Sequence, residues 1–223
     1  MKTKRSIRQK IILYILSVFI VFFVASVAYI VVTSRKTILD ETIEKTRFIA
    51  KNSATDIEKF FESNLGIART LSQAFSVYQT LPVDQWQKLF LEMYLPVIKA
   101  NEHIYIIWDS WEHSGYIPNY TKEYGRTMLF VLRDGDKFEK NKEERSQNGD
   151  SDRYGGFKKG NRVDIWEPYP DVVQDGKREA KLMTTIASPV QINGKFMGMV
   201  GIDLELTALQ ELVAGVETVE GGY

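Results

Sequence analysis

Several residue types and motifs are missing from this chain, and each absence removes a class of function. Cysteine is absent, which excludes thiolate metal sites and cysteine nucleophiles. The chain contains no G-x-S-x-G elbow, P-loop or zinc-protease motif, so no catalytic constellation is recognised. Its 29 basic and 29 acidic residues balance, which leaves no overall basic field for nucleic acid. The sequence predicts a protein that is not an enzyme, has no cofactor and binds no nucleic acid.

One long apolar run, residues 11–33, contains no charged residue. About 20 such residues cross the hydrocarbon core of a bilayer as a helix. Residues 1–10 form a basic N-terminus, which under the positive-inside rule stays cytoplasmic and leaves the bulk of the chain periplasmic or extracellular. A cleaved signal peptide is the alternative, with small residues at 26–28, but the apolar run continues past them. We therefore expect a single-pass anchor in the cell (inner) membrane.

Residues 34–80 are expected to form a long helix that leaves the membrane. The segment contains no proline before Leu81-Pro82 and only one glycine. Its apolar residues recur at helical spacing near a seven-residue repeat: Ile43, Ala50, Ile57, Phe61, Ala68, Leu71 and Phe75. This stripe either pairs with a second copy of the chain to form a homodimer or packs on the domain that follows. Both alternatives hold if one end of the stripe contacts the domain and the other end contacts the second copy.

Residues 81–214 are predicted to form one α+β domain. A second helix is predicted over 83–99, with Asp84 as its cap. Strands are predicted where β-branched and aromatic residues cluster, and the turn signals Asp134-Gly135 and Asn193-Gly194 lie between them. The predicted strands are 103–111, 128–133, 181–190 and 195–204. The charged segment 137–160 is predicted to form a long loop, and loops of this length are often functional.

Three motifs, in this order and spacing, carry a family resemblance: W-D-S-W-E at 108–112, W-E-P-Y-P-D at 166–171 and G-K-F-M-G-M-V-G-I-D at 194–203. Together they resemble the double-CACHE domain, the PAS-like extracytoplasmic sensor of bacterial chemoreceptors and sensor kinases. The resemblance implies a membrane-distal ligand-binding subdomain over 81–214 and the start of a membrane-proximal subdomain at 215–223. It leads us to expect that the chain is an N-terminal fragment of a longer receptor.

The resemblance also implies where a ligand is held. In amino-acid-binding members of the family, aspartates matching Asp171 and Asp203 face the ligand amine, and a tyrosine matching Tyr154 lines the pocket wall. The chain departs from the family's carboxylate-binding pattern, because Ser151 stands where those members have an arginine. Arg126 or Arg153 would then grip a ligand carboxylate, since a guanidinium does so in bidentate fashion.

Aromatic side chains complete the predicted site. Trp108, Trp111 and Tyr169 would contact an ammonium group through cation–π interactions. Two of these residues have simpler alternative roles. Asp203 is also a candidate for the cap of a helix over 204–213, and Trp108 is also a candidate core residue. His103 and its polar neighbours up to His113 show no recognised metal spacing, so no metal site is predicted.

The leading hypothesis is a membrane-anchored chemosensor that binds a small metabolite, an amino acid or an amine, as the sensory part of a chemotaxis receptor. The alternatives are the sensor region of a histidine kinase or diguanylate cyclase, and a stand-alone tethered binding protein. These alternatives differ only in the segments that would follow the sensor, so the sensor sequence does not discriminate between them.

Overall fold

The computed structural model describes residues 6–171 and 180–214, except for the side chains of Asp171 and of residues 211–214. The chain divides into two compact units at Ser53 and Ala54, and each is described by itself. The predicted start of a membrane-proximal subdomain, residues 215–223, lies outside the described residues.

The first unit is helical over its described residues, and its helix is part of α1 (Ile7–Ala74). Large apolar side chains between Ile11 and Val32 are exposed. In the described part of the chain, α1 is the only helix that is long and apolar enough to cross a membrane. Ile38, Leu39 and Phe48 are also exposed in this unit.

The second unit, from Ala54 onward, combines helices with a sheet. Its first helical elements are the end of α1, a 3-10 helix η1 (Phe75–Thr80), α2 (Val83–Ala100) and α3 (His113–Tyr116). Two later helices are α4 (Asp152–Gly160) and α5 (Leu206–Ala214). Its strands are β1 (Ile104–Glu112), β2 (Arg126–Asp134), β3 (Lys137–Arg145), β4 (Asp164–Ile165), β5 (Tyr169–Asp171), β6 (Lys181–Ile192) and β7 (Lys195–Glu205).

Within the described residues the strands form one antiparallel sheet in the order β3-β2-β1-β7-β6-β4, and β5 also pairs with β6. Both predicted turns are present: Gly135 follows β2 with φ 58°, and Asn193 and Gly194 join β6 to β7 with φ 52° and 77°. Such positive values suit Asn-Gly and Asp-Gly in tight hairpins. The predicted α+β class with a PAS-like antiparallel sheet is confirmed.

The two faces of the sheet bury different sets of side chains. One face packs on the end of α1, on η1 and on α2, where Phe75 stacks on Phe90 with ring centroids 3.7 Å apart. Trp111 of β1 lies in this aromatic layer, 5.0 Å from Trp86. The other face is covered by α4 and the segment before β5, and it includes Trp108. Burying each large aromatic removes roughly 150–250 Å² from water, so this packing dominates the domain's stability.

Two sequence predictions are corrected by the fold. Residues 137–160 are not one long loop, because they form strand β3 and helix α4 around a short connection. β3 is an edge strand with mostly exposed residues, and charged side chains are common on such edges because they oppose aggregation. Asp84 is not the cap of α2, since Pro82 holds the cap position and Asp84 lies in the first turn.

Candidate functional site

A small cavity lies on the sheet face that is covered by α4. Its volume is ≈ 160 Å³, smaller than the roughly 300–1,000 Å³ of pockets for drug-sized ligands, so it suits a small metabolite. We call it the arginine cavity. Its lining residues are Trp108, Arg126, Met128, Arg145, Ser151, Arg153, Tyr154, Trp166, Tyr169 and Asp203. Strands β1, β2, β3, β5 and β7 therefore meet α4 at this point.

The acidic part of the cavity wall is Asp203. Its side chain is only 3% exposed, and its Oδ1 accepts hydrogen bonds from Trp108 Nε1 at 2.9 Å and Thr185 Oγ1 at 2.7 Å. Tyr169 reaches the same network through a 2.7 Å hydrogen bond between its hydroxyl and Thr185 Oγ1. The alternative that Asp203 caps a helix is wrong, because it lies within β7 and α5 begins only at Leu206.

Three guanidinium groups form the basic part of the wall. Arg126 lies over the ring of Tyr154, with its Cζ 3.9 Å from the ring centroid, and donates to Ser110 and Ser146. Arg153 lies over Tyr169 at 4.1 Å. Burial lowers the pKa of Arg126 below its usual range, but a guanidinium stays protonated in proteins.

The third guanidinium belongs to Arg145, which is directly opposite Arg126 in the β2–β3 pair. Like charges at facing positions of two strands are destabilising. Arg145 is partly compensated by Glu143, whose Oε2 it binds at 2.8 Å. Arg126 forms no such ion pair among the described residues. The charge of Arg126 is therefore balanced by no ion pair among the described residues, although Asp150 and Glu112 lie near enough to attract it.

A buried network holds Tyr154 in place. Its hydroxyl donates to Glu112 Oε1 at 2.6 Å, and Lys158 Nζ lies 2.7 Å from Glu112 Oε2. Burial raises the pKa of Tyr154 well above its usual value, and the charge of Glu112 adds to this effect. Tyr154 thus stays a neutral donor and offers a fixed aromatic surface to Arg126. Ser151 caps α4 by accepting from the Tyr154 backbone N–H, which sets the start of this helix.

The structure brings six of the eight predicted site residues together around the arginine cavity: Trp108, Arg126, Arg153, Tyr154, Tyr169 and Asp203. Trp111 is a correction, because it is fully buried on the opposite face of the sheet against Tyr78 and Trp86. Neighbouring residues of a strand point to opposite faces, so two residues three positions apart do not share one. The side chain of Asp171, the other predicted carboxylate, lies outside the described residues.

Sequence reasoning missed Arg145 as a lining residue. The signal was present, because a tight turn at Asp134-Gly135 implies an antiparallel partner strand that starts near Lys137. Eight residues back from Asp134 is Arg126, and eight residues on from Lys137 is Arg145, so the two arginines face each other. The prediction of a loop over residues 137–160 excluded this strand pairing. Within residues 6–171 and 180–214, no group of three or more His, Asp or Glu side chains is placed to hold a metal ion.

The antiparallel sheet, with a helical layer on one face and a small cavity on the other, has the arrangement of a PAS-like domain. Residues 108–211 match the family model described as methyl-accepting chemotaxis protein-like, first PDC sensor domain. This segment is similar to the PDC sensor domains of chemoreceptors, and the resemblance drawn from the sequence is confirmed. Comparison with curated proteins gave no match.

Solved structures show the same fold at low sequence identity. Methyl-accepting Chemotaxis protein X is 21% identical over 77% of this chain and 65% of its own, with a TM-score of 0.58. The extracellular domain of the candidate histidine kinase mmHK1S-Z3 is 24% identical over 75% and 60%, with a TM-score of 0.57. The ligand-binding domain of the Campylobacter jejuni chemoreceptor Tlp3 in complex with L-valine is 19% identical over 82% and 67%, also with 0.57. The chain thus spans less than two thirds of the length of the first and second of these.

Proposed function

We propose that this chain is the sensory part of a membrane-anchored receptor and binds a small metabolite, an amino acid or an amine, in the arginine cavity. One observation carries the proposal: a ≈ 160 Å³ cavity places three guanidinium groups and one buried carboxylate among aromatic side chains. A few convergent polar groups in an aromatic lining are typical of small-molecule sites.

The charges of the wall suit the two ends of an amino acid. The carboxylate would bind Arg126 and Arg153, which already lie against aromatic rings and keep donors available. The ammonium would face Asp203, with Trp108 and Tyr169 as aromatic neighbours. The Tlp3 domain, which was solved in complex with L-valine, supports this ligand class by its similar fold. Asp171 remains a proposed contact of the amine.

The receptor we propose signals chemotaxis and is not itself an enzyme. Its anchor would be the apolar part of α1, with the N-terminus in the cytoplasm. The exposed apolar residues Ile38, Leu39, Ile43 and Phe48 support a homodimer through this helix. Ligand binding would shift the population of two conformations, and the shift is limited by the ligand's differential affinity for them. α1 would carry the displacement as a small movement.

A histidine kinase with the same sensor is the second candidate. The observation that favours it is the similarity of the mmHK1S-Z3 extracellular domain, whose TM-score equals that of the Tlp3 domain. A diguanylate cyclase or a stand-alone tethered binding protein has no such support. Reading the gene beyond codon 223 would discriminate between these outputs, because a coiled-coil signalling domain indicates chemotaxis and a kinase domain indicates the second candidate.

The ligand proposal is tested by calorimetry on the full chain in detergent micelles. The ligand panel contains amino acids, amines without a carboxylate, and carboxylic acids without an amine. We expect saturable binding of one or more amino acids. Asp203→Asn and Arg153→Gln should each weaken that binding by about tenfold or more, the loss expected for one charge-assisted hydrogen bond.

Lys137→Gln is the matched control, since Lys137 is an exposed cation on β3 that does not line the cavity. It should bind the ligand as the wild type does. Unchanged affinity in both Asp203→Asn and Arg153→Gln would show that the site is elsewhere. Best binding by carboxylic acids that lack an amine would remove Asp203 from its proposed role.

A further inference from the structure

A second polar cavity lies beside β6 at the edge of the sheet, where the end of α1 passes the turn that follows α4. Its volume is ≈ 430 Å³, and three segments line it: α1 with the start of η1, the turn at 161–163, and β6. We call it the helix-side cavity. It shares no lining residue with the arginine cavity.

The charges around the helix-side cavity have one sign. Arg69 of α1 and Arg162 of the turn both line it, and no carboxylate does so among the described residues. Neither guanidinium forms a hydrogen bond or an ion pair with another residue in the described part of the chain. The two exposed cations repel each other weakly across solvent, and an anion bound between them would make the net electrostatic interaction favourable.

The backbone segments that carry the two arginines are each fixed against β6. On the α1 side, the buried hydroxyls of Ser72 and Ser188 are 2.8 Å apart, and Ser72 also donates to the carbonyl of Arg69 at 2.9 Å. On the turn side, Gln191 Nε2 donates to both the backbone carbonyl and the Oδ1 of Asn161, each at 2.9 Å. The fold therefore sets the backbone positions of the two arginines, while their guanidinium groups are exposed to solvent beside the cavity.

The remaining lining supplies neutral donors. Ser76 donates to the Gln73 carbonyl at 2.7 Å, and hydroxyl protons rotate readily toward a new acceptor. Gln73 is exposed and lines the cavity, so its side-chain amide faces no competing carboxylate there. Among the described residues the cavity has no aromatic residue and no carboxylate, so it offers an ammonium group neither a cation–π contact nor an ion pair. Its chemistry differs from that of the arginine cavity in this respect.

We propose that the helix-side cavity binds a small dianion, either phosphate-like or a dicarboxylate, between Arg69 and Arg162. A dianion matches two guanidinium groups in charge, and guanidinium groups bind phosphate and carboxylate oxygens in bidentate fashion. The bound anion would tie α1 to the turn after α4, the helix that carries Arg153 and Tyr154 at its other end. The site does not depend on the ligand proposed for the arginine cavity.

The test is calorimetry of the full chain in detergent micelles with inorganic phosphate, sulfate and succinate, at constant ionic strength set with chloride. Titration up to about 10 mM would detect a dissociation constant in the millimolar range. We expect saturable binding of at least one of the three anions. Arg69→Gln and Arg162→Gln should each weaken it by about tenfold, and the double variant should abolish it.

Two controls separate this site from general charge effects and from the arginine cavity. Lys88→Gln removes an exposed cation of α2 that lines neither cavity, and it should bind the anion as the wild type does. Arg153→Gln removes a cation of the arginine cavity, so anion binding that persists in this variant and is weakened by Arg69→Gln belongs to the helix-side cavity. The proposal is overturned if no anion binds saturably, if the double variant binds like the wild type, or if Arg153→Gln alone abolishes binding.

Discussion

Asp109 is the residue at which burial and ionisation conflict most strongly. It lies on β1 with no exposed surface, and its Oδ2 accepts a hydrogen bond from the Tyr94 hydroxyl at 2.7 Å. Its Oδ1 has no hydrogen-bond partner among the described residues. Burial raises the pKa of Asp109 from 3.8 to about 8, because the charged carboxylate is poorly solvated there. At neutral pH the side chain is mainly a neutral acid between the sheet and α2.

This pKa predicts that the contribution of Asp109 to the stability of the domain falls as pH rises from about 4 to about 8. In that window the folded chain keeps the proton of Asp109 while the unfolded chain releases it, so raising the pH favours unfolding. Asp109→Asn mimics the neutral acid and removes the effect. The free energy of unfolding of the variant, relative to the wild type, should increase with pH by up to about 1.4 kcal/mol per unit. Denaturant unfolding at pH 5 and pH 8 measures this, and a constant difference would contradict it.

Single residues were predictable from the sequence where a motif fixed both their strand and their face. Asp203 and Trp108 come from two motifs, and they meet in one hydrogen bond because β1 and β7 are neighbours. Trp111 lies in the first of these motifs, but the alternation of side chains along β1 turns it to the other face. Motif membership therefore indicated the right strand and not the direction of each side chain.

At the level of elements, β1 and β7 approach each other closely around Gly201. Gly201 lies opposite Trp108 in the strand pair, and a Cβ atom there would overlap the indole ring. The glycine therefore leaves room for Trp108 to reach Asp203. Trp108 lines the arginine cavity, so this strand contact also shapes the candidate site.

Gly201→Ala is predicted to destabilise the domain by roughly 1–3 kcal/mol, the usual cost of overpacking a core. It should also weaken ligand binding in the arginine cavity by displacing Trp108. Gly156→Ala in α4 is the matched control, because a Cβ there meets nothing within 4 Å, and it should stabilise the helix by roughly 0.5–1 kcal/mol. Thermal unfolding of both variants decides this, and equal stability of Gly201→Ala and the wild type would show that Trp108 shifts at no cost.

Most elements of the sheet could be predicted because their apolar pattern or turn residues were strong. The strands on both sides of Asn193-Gly194 were found within two residues of their observed ends. β3 was missed, since an edge strand in which most side chains face water has no apolar pattern to show. α4 was missed because its nine residues contain three glycines and only Tyr154 and Phe157 are buried. These elements depend on contacts with the rest of the domain, which local sequence does not contain.

For the whole molecule, the charges on the two sides of the apolar run predict which side of a membrane the sensor domain would occupy in the anchored receptor that we propose. Residues 1–10 contain five basic and no acidic side chains, whereas residues 34–43 contain two of each. This difference favours a cytoplasmic N-terminus. The absence of cysteine from the chain makes the orientation directly measurable, because a single introduced cysteine is then the only thiol.

The prediction compares Ser6→Cys, before the apolar run, with Gln147→Cys, an exposed position in the connection after β3. A membrane-impermeant maleimide should label Gln147→Cys in intact spheroplasts, and it should label Ser6→Cys only after the membrane is permeabilised. The reverse pattern would show that the sensor domain faces the cytoplasm. A shortened product in which Ser6→Cys is never labelled would indicate cleavage of the apolar run as a signal peptide. Retention of the full-length chain in the membrane fraction, with the expected labelling, would establish α1 as the membrane anchor and the sensor domain as lying outside the cytoplasm.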